Sequence, residues 1–242
     1  MKANLLSLKP SLLAVTLTGL LVAGCSDSDD DPVAASVPPT PEPVMQTYEV
    51  TVTNLTANQP LSPVFVATHS ADLSLWQAGM SASVALEKLA EGGDSADLAE
   101  LDGLTSSANG TGVIMPGMSE TISVTLDEED VASLSLATML VNTNDAFAGV
   151  NAYNLTMLDV DETSMMSMMV YDAGTEQNSE AKGSLPGPAD GGEGYNSMRD
   201  DVDFIHVHPG VISMYDGLMD SVLDASHRFD NPGVKVTITR TE

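Results

Sequence analysis

Residues 171–180 read Tyr-Asp-Ala-Gly-Thr-Glu-Gln-Asn-Ser-Glu, a run whose side chains offer oxygen ligands almost exclusively. Asp172 and Glu176 stand four apart, with Gly174 between them. Glycine takes positive φ without steric cost, so the backbone is free to fold back and aim both carboxylates at one point. Such a nest suits a hard divalent cation. Asn178 and Glu180 follow in the same run and are candidates to complete its coordination. The competing reading is a solvated acidic loop in an acidic protein.

Other side chains offer softer chemistry. His206 and His208 are two apart, which on a strand puts both rings on one face, a spacing that serves zinc or copper. A strand ending in the turn His208-Pro209-Gly210 explains the same residues without a metal. Met165, Met166, Met168 and Met169 form a thioether cluster that would suit cuprous copper, although methionine also fills cores flexibly where aromatics are scarce. His69 and His227 are isolated and read as structural. No Gly-x-Ser-x-Gly, Ser-x-x-Lys or His-Glu-x-x-His motif occurs, and no carboxylate pair is marked out for glycoside chemistry, so no enzymatic activity is expected.

The elements that must position these groups read as strands. Tyr48, Val50 and Val52 alternate with polar residues, as do Ile122, Val124 and Leu126, and later Val234, Val236 and Ile238. Residues 61–68, 168–171 and 203–208 carry further strand signals. Residues 131–141 form a longer apolar run, expected as a central strand buried on both faces. One helix is predicted over residues 81–91, stopped by Gly92-Gly93, with a further turn over 97–101. Residues 94–112 read as a polar decoration over one end of the sheets, and 182–200 as a long loop. Short strands, polar turns and one clear helix predict an all-β fold, an antiparallel β-sandwich with one short helical decoration.

Composition bounds the function. Of 242 residues 43% are hydrophobic but only 4% aromatic, so the core must be aliphatic and methionine-rich. Eight Lys and Arg face 35 Asp and Glu, a formal charge of −27 that repels nucleic-acid phosphate and favours cations and basic partners. Residues 1–25 have a basic start, Lys2 and Lys9, and a short apolar stretch over 12–22, the layout of a signal peptide. The ending Leu21-Val22-Ala23-Gly24-Cys25 resembles the bacterial lipobox, which implies lipid attachment at Cys25, the chain's single cysteine. Ser26 follows it, and by resemblance to Gram-negative lipoproteins this implies the outer membrane, facing the periplasm or the surface. Residues 26–46, acidic and then Pro-rich, are expected to form an extended tether. The domain then occupies residues 47–242.

Two blocks resemble a known family. The segment Met139-Leu140-Val141-Asn142-Thr143-Asn144-Asp145-Ala146-Phe147-Ala148-Gly149-Val150, followed by Tyr171-Asp172-Ala173-Gly174-Thr175-Glu176, resembles the spondin N-terminal (F-spondin) domain family in its bacterial lipoprotein form. Residues 62–69 and His208-Pro209-Gly210 agree with it. The resemblance implies a β-sandwich with calcium bound by Asp145, Asp172 and Glu176, the last replacing the aspartate usual in animal members. It further implies a calcium-stabilised binding or adhesion module with a protein or glycan ligand outside the cytoplasm. The alternative is a copper- or zinc-handling lipoprotein using His206 and His208 or the 165–169 methionine cluster.

Overall fold

Residues 42–242 are described by a computed structural model. Residues 1–41, which include the stretch read as a signal peptide, Cys25 and most of the stretch read as a tether, lie outside the described residues. Two antiparallel sheets carry the fold. The first has four strands: β1 (Met45–Asn54) lies between β4 (Ser119–Asp127) and β10 (Val234–Arg240), and β7 (Thr163–Met168) follows β10. In the second, six strands run in the order β3 (Leu104–Asn109), β2 (Phe65–His69), β5 (Ser133–Met139), β6 (Ala146–Asn154), β8 (Val170–Asp172) and β9 (His206–Val207).

Alternation in β1, β4 and β10 works as expected. Tyr48, Val50, Val52, Ile122, Val124, Leu126, Val234, Val236 and Ile238 all point into the core between the sheets, meeting Val66, Leu134, Leu136, Ala148 and Val170 of the opposite sheet. Burying one such aliphatic side chain is worth about 1.5–3 kcal/mol, so this interface holds the fold together. Every residue of β5 is buried, as the apolar run predicts. Its second face is covered by helix α1 (Val84–Gly92), whose Leu86, Leu89 and Ala90 cluster with Phe65, Ala67, Ala137 and Phe147. Ser83 caps the helix by accepting the Leu86 N–H, and Gly93 ends it in the left-handed conformation at φ 68°. A short helix α2 (Ala96–Ala99) supplies the expected extra turn.

Three strands depart from expectation. Residues 104–109, within the stretch read as a decoration, form β3 and pair with β2. Its inward positions are Leu104, Ser106 and Ala108, too small and polar for alternation to register. β6 escapes a period-two reading because its first five residues are buried on both faces. The methionine stretch is β7, an edge strand paired with β10. Met166 and Met168 pack against the core while Met165 and Met169 are exposed, so the four thioethers are divided between faces. Residues 182–200 contain no helix or regular strand, as expected of a loop. Among the described residues no helix is long and apolar enough to cross a membrane.

Candidate functional site

β6 and β8 pair antiparallel with Ala146 opposite Asp172, so Asp145, one residue before β6, and Asp172, the last residue of β8, arrive at the same end of the sheet. The Ala173 N–H donates to the Asp145 carbonyl at 3.2 Å and closes the corner. Both aspartates are fully buried. Beyond Asp172 the chain turns at Gly174, with φ +71°. A Cβ there would stand 2.3 Å from the Phe204 carbonyl oxygen, so only glycine lets residues 203–205 lie across the turn.

The Asp145 Oδ2 atom accepts from the Thr175 N–H at 2.8 Å, the Glu176 N–H at 3.2 Å and the Thr175 hydroxyl at 3.2 Å. Its Oδ1 is buried with no hydrogen-bond partner. Burial, and then the neighbouring Asp172, push the Asp145 carboxyl up to about 8 despite those donors. A buried acceptor without a donor costs about 1–3 kcal/mol, and a charged one more. The corner is therefore short of positive charge.

Asp172 is better supplied. Its Oδ1 accepts the Gly174 N–H at 2.8 Å, and its Oδ2 accepts the Asn178 side-chain amide. Asn178 in turn accepts from His208 Nε2 at 3.2 Å, while His208 Nδ1 accepts the Gly210 N–H at 2.9 Å. That arrangement assigns the His208 proton to Nε2. Burial holds the His208 imidazole down at about 4, so the ring is neutral. His206 approaches Asp172 from the other side, its Nε2 3.4 Å from Oδ1 and 3.9 Å from Asp201 Oδ2. Both histidines lie within 4 Å of the Asp172 carboxylate, but His208 lies beyond the end of β9 and spends both ring nitrogens on protein partners.

Glu176 donates its backbone N–H to Asp145, and its carboxylate Oε1 accepts the Asn144 side-chain amide at 2.8 Å. Burial and the nearby Glu91, Asp200 and Glu193 push that carboxyl up to about 7. Glu180, the other oxygen donor considered from sequence, serves elsewhere: its carboxylate accepts the Ile212 N–H and the Ser221 hydroxyl. Asn178 does reach Asp172. His69 is structural as expected, bonded through both ring nitrogens to Ser70 and Ser135.

One residue had no signal in the sequence. Asp201 sits among many acidic residues of the long loop region, yet the structure brings it to Asp172 and His206. Among the described residues, these three form the one group of His, Cys, Asp and Glu whose ligand atoms all lie within 4.8 Å of one another. Burial and then Asp172 raise the Asp201 carboxyl above its ordinary value.

These two acidic blocks, joined by strand pairing at one sheet end, fall within a recognisable family region. No curated protein matches the chain. The Spondin_N family matches it over residues 51–183, more than half of its length, and includes Asp145, Asp172 and Glu176. The chain therefore belongs to the spondin N-terminal domain family.

Proposed function

We propose that the chain is a non-enzymatic binding or adhesion module outside the cytoplasm, attached to the outer membrane through lipid on Cys25 and stiffened by a calcium ion. Membership of the spondin N-terminal family supports the reading as an extracellular binding or adhesion module. One observation carries the calcium part: the buried, unpartnered Oδ1 of Asp145, set beside the equally buried Asp172. An oxygen-rich, charge-deficient corner is what a hard dication relieves.

Asp145 and Asp172 would hold the ion; the Glu176 carboxylate is bound to the Asn144 amide and would have to turn from it to join them as the third. Bound there, calcium supplies charge neutralisation and a crosslink between the start of β6 and the loop after β8. Asn178, positioned by His208, keeps Asp172 oriented. The net charge of −27 favours a partner that presents basic groups, protein or glycan-associated.

Thermal unfolding of the full chain tests this. Extracellular calcium modules bind at about 10⁻⁴–10⁻³ M, so 5 mM calcium adds about 1–2 kcal/mol by mass action. For a domain of this size that raises Tm by about 2–8 °C over chelator. Asp172→Ala erases the rise. An identical melt in calcium and in chelator overturns the calcium reading.

A further inference from the structure

His206 is not needed by the calcium reading, yet its ring is aimed. Its Nδ1 lies 3.1 Å from the Val207 carbonyl, which can only accept, so Nδ1 carries a proton. The remaining nitrogen, Nε2, faces Asp172 Oδ1 at 3.4 Å and Asp201 Oδ2 at 3.9 Å. Neither separation fits an N–H···O hydrogen bond, which spans about 2.7–3.2 Å. Bonds of about 2.0–2.2 Å to one small dication at tetrahedral angles put ligand atoms about 3.3–3.6 Å apart; the Asp172 separation falls in that range and the Asp201 separation lies just beyond it. A ring nitrogen oriented by a backbone carbonyl on its far side is also how metal-bound histidines are held.

Two of the three ligand side chains reach the surface. The His206 and Asp201 side chains keep 29% and 20% of their surface exposed, while Asp172 behind them is fully buried. Beside Asp172 the Asp145 Oδ1 atom is buried and has no hydrogen-bond partner, an unfilled acceptor on the inner side of the same corner. Calcium takes oxygen ligands, whereas an imidazole nitrogen with two carboxylates suits a first-row transition dication. We infer that Asp172, Asp201 and His206 form a second cation position, at the mouth of the acidic corner, for a transition dication of the zinc class. Asp172 is common to this position and to the buried calcium position, and its Oδ1 is the atom that faces His206. The inference stands whether or not calcium binds at Asp145.

Zinc is the probe. The full chain at pH 7.5, with 2 mM calcium present, is titrated with zinc against a chromogenic zinc indicator. Wild type is expected to take one zinc with micromolar or tighter affinity. His206→Ala and Asp201→Asn each weaken it at least tenfold while leaving the melting temperature in chelator, and its response to calcium, unchanged. Asp145→Asn does the reverse, losing the calcium response and retaining zinc. Cobalt in place of zinc adds a readout, a visible absorption band that His206→Ala removes. Absence of zinc binding, or affinity within twofold of wild type in both the His206 and Asp201 variants, overturns the inference. A missing calcium response with intact, His206-dependent zinc binding supports it and sinks only the calcium reading.

Discussion

Replacing Asp145 with asparagine tests the charge argument most directly, because it should stabilise the metal-free chain while abolishing its calcium response. Burial and Asp172 push the Asp145 carboxyl up to about 8, against an ordinary value near 4. The folded value lies above the unfolded one, so the group's contribution to stability is intact below about pH 4. It is lost as pH rises through about 8. At about 1.36 kcal/mol per pH unit, metal-free wild type has lost on the order of 4 kcal/mol by pH 7. Asparagine keeps one oxygen for the Thr175 and Glu176 donors and places an amide donor beside Asp172. Its added NH₂ must find acceptors in a fully buried corner, and an imperfect fit costs about 1–2 kcal/mol. A net gain of about 2–3 kcal/mol remains, or about 4–12 °C in Tm. The assay is thermal unfolding by circular dichroism in chelator from pH 4 to 8. The difference between the proteins should be small at pH 4 and grow through pH 8. Millimolar calcium should then raise wild type alone. A variant that melts at or below wild type at pH 8 in chelator, or a difference that ignores pH, refutes the argument.

Two further substitutions probe the frame around the site. Gly174→Ala places a Cβ against the Phe204 backbone at positive φ, so a loss of at least about 2 kcal/mol is expected. Its melt should fall by at least about 4 °C, with a weakened calcium response; a wild-type melt would show the turn to be adaptable. Glu180→Ala strips the acceptor from the Ile212 N–H and Ser221 hydroxyl, at about 1–3 kcal/mol each. Hydrogen exchange should rise across residues 210–222 and leave β1 and β10 protected; uniform protection would deny Glu180 its clamping role.

The strands that could be read ahead of the structure are those with one buried face and large aliphatic side chains. β1, β4 and β10 alternate Val, Ile and Leu with Thr and Ser, and β5 is apolar throughout. α1 carries its own stops, with Gly93 taking the left-handed position. β3 and β7 could not be read in this way, because their inward residues are small, polar or flexible and their pairing partners are distant in sequence. The site divides similarly. Gly174 and the oxygen-rich run around it announce a tight acidic turn by residue type alone. Asp145 was legible through the family blocks, since nothing local says that residue 145 will meet residue 172.

What the sequence determined by itself was therefore local: which stretches alternate, where a helix starts and stops, and that an acidic turn with glycine at its bend follows Tyr171. Conformation at each of these places is dominated by near neighbours, so it is written in the order of residues. Only the tertiary structure decided which oxygens share a corner. Pairing of β6 with β8 brings Asp145 to Asp172, and Asn144 takes the Glu176 carboxylate. The loop over Gly174 delivers Asp201 and His206 beside Asp172. Those outcomes depend on register and on how burial weakens the screening of charge, and both come into being when distant segments pack.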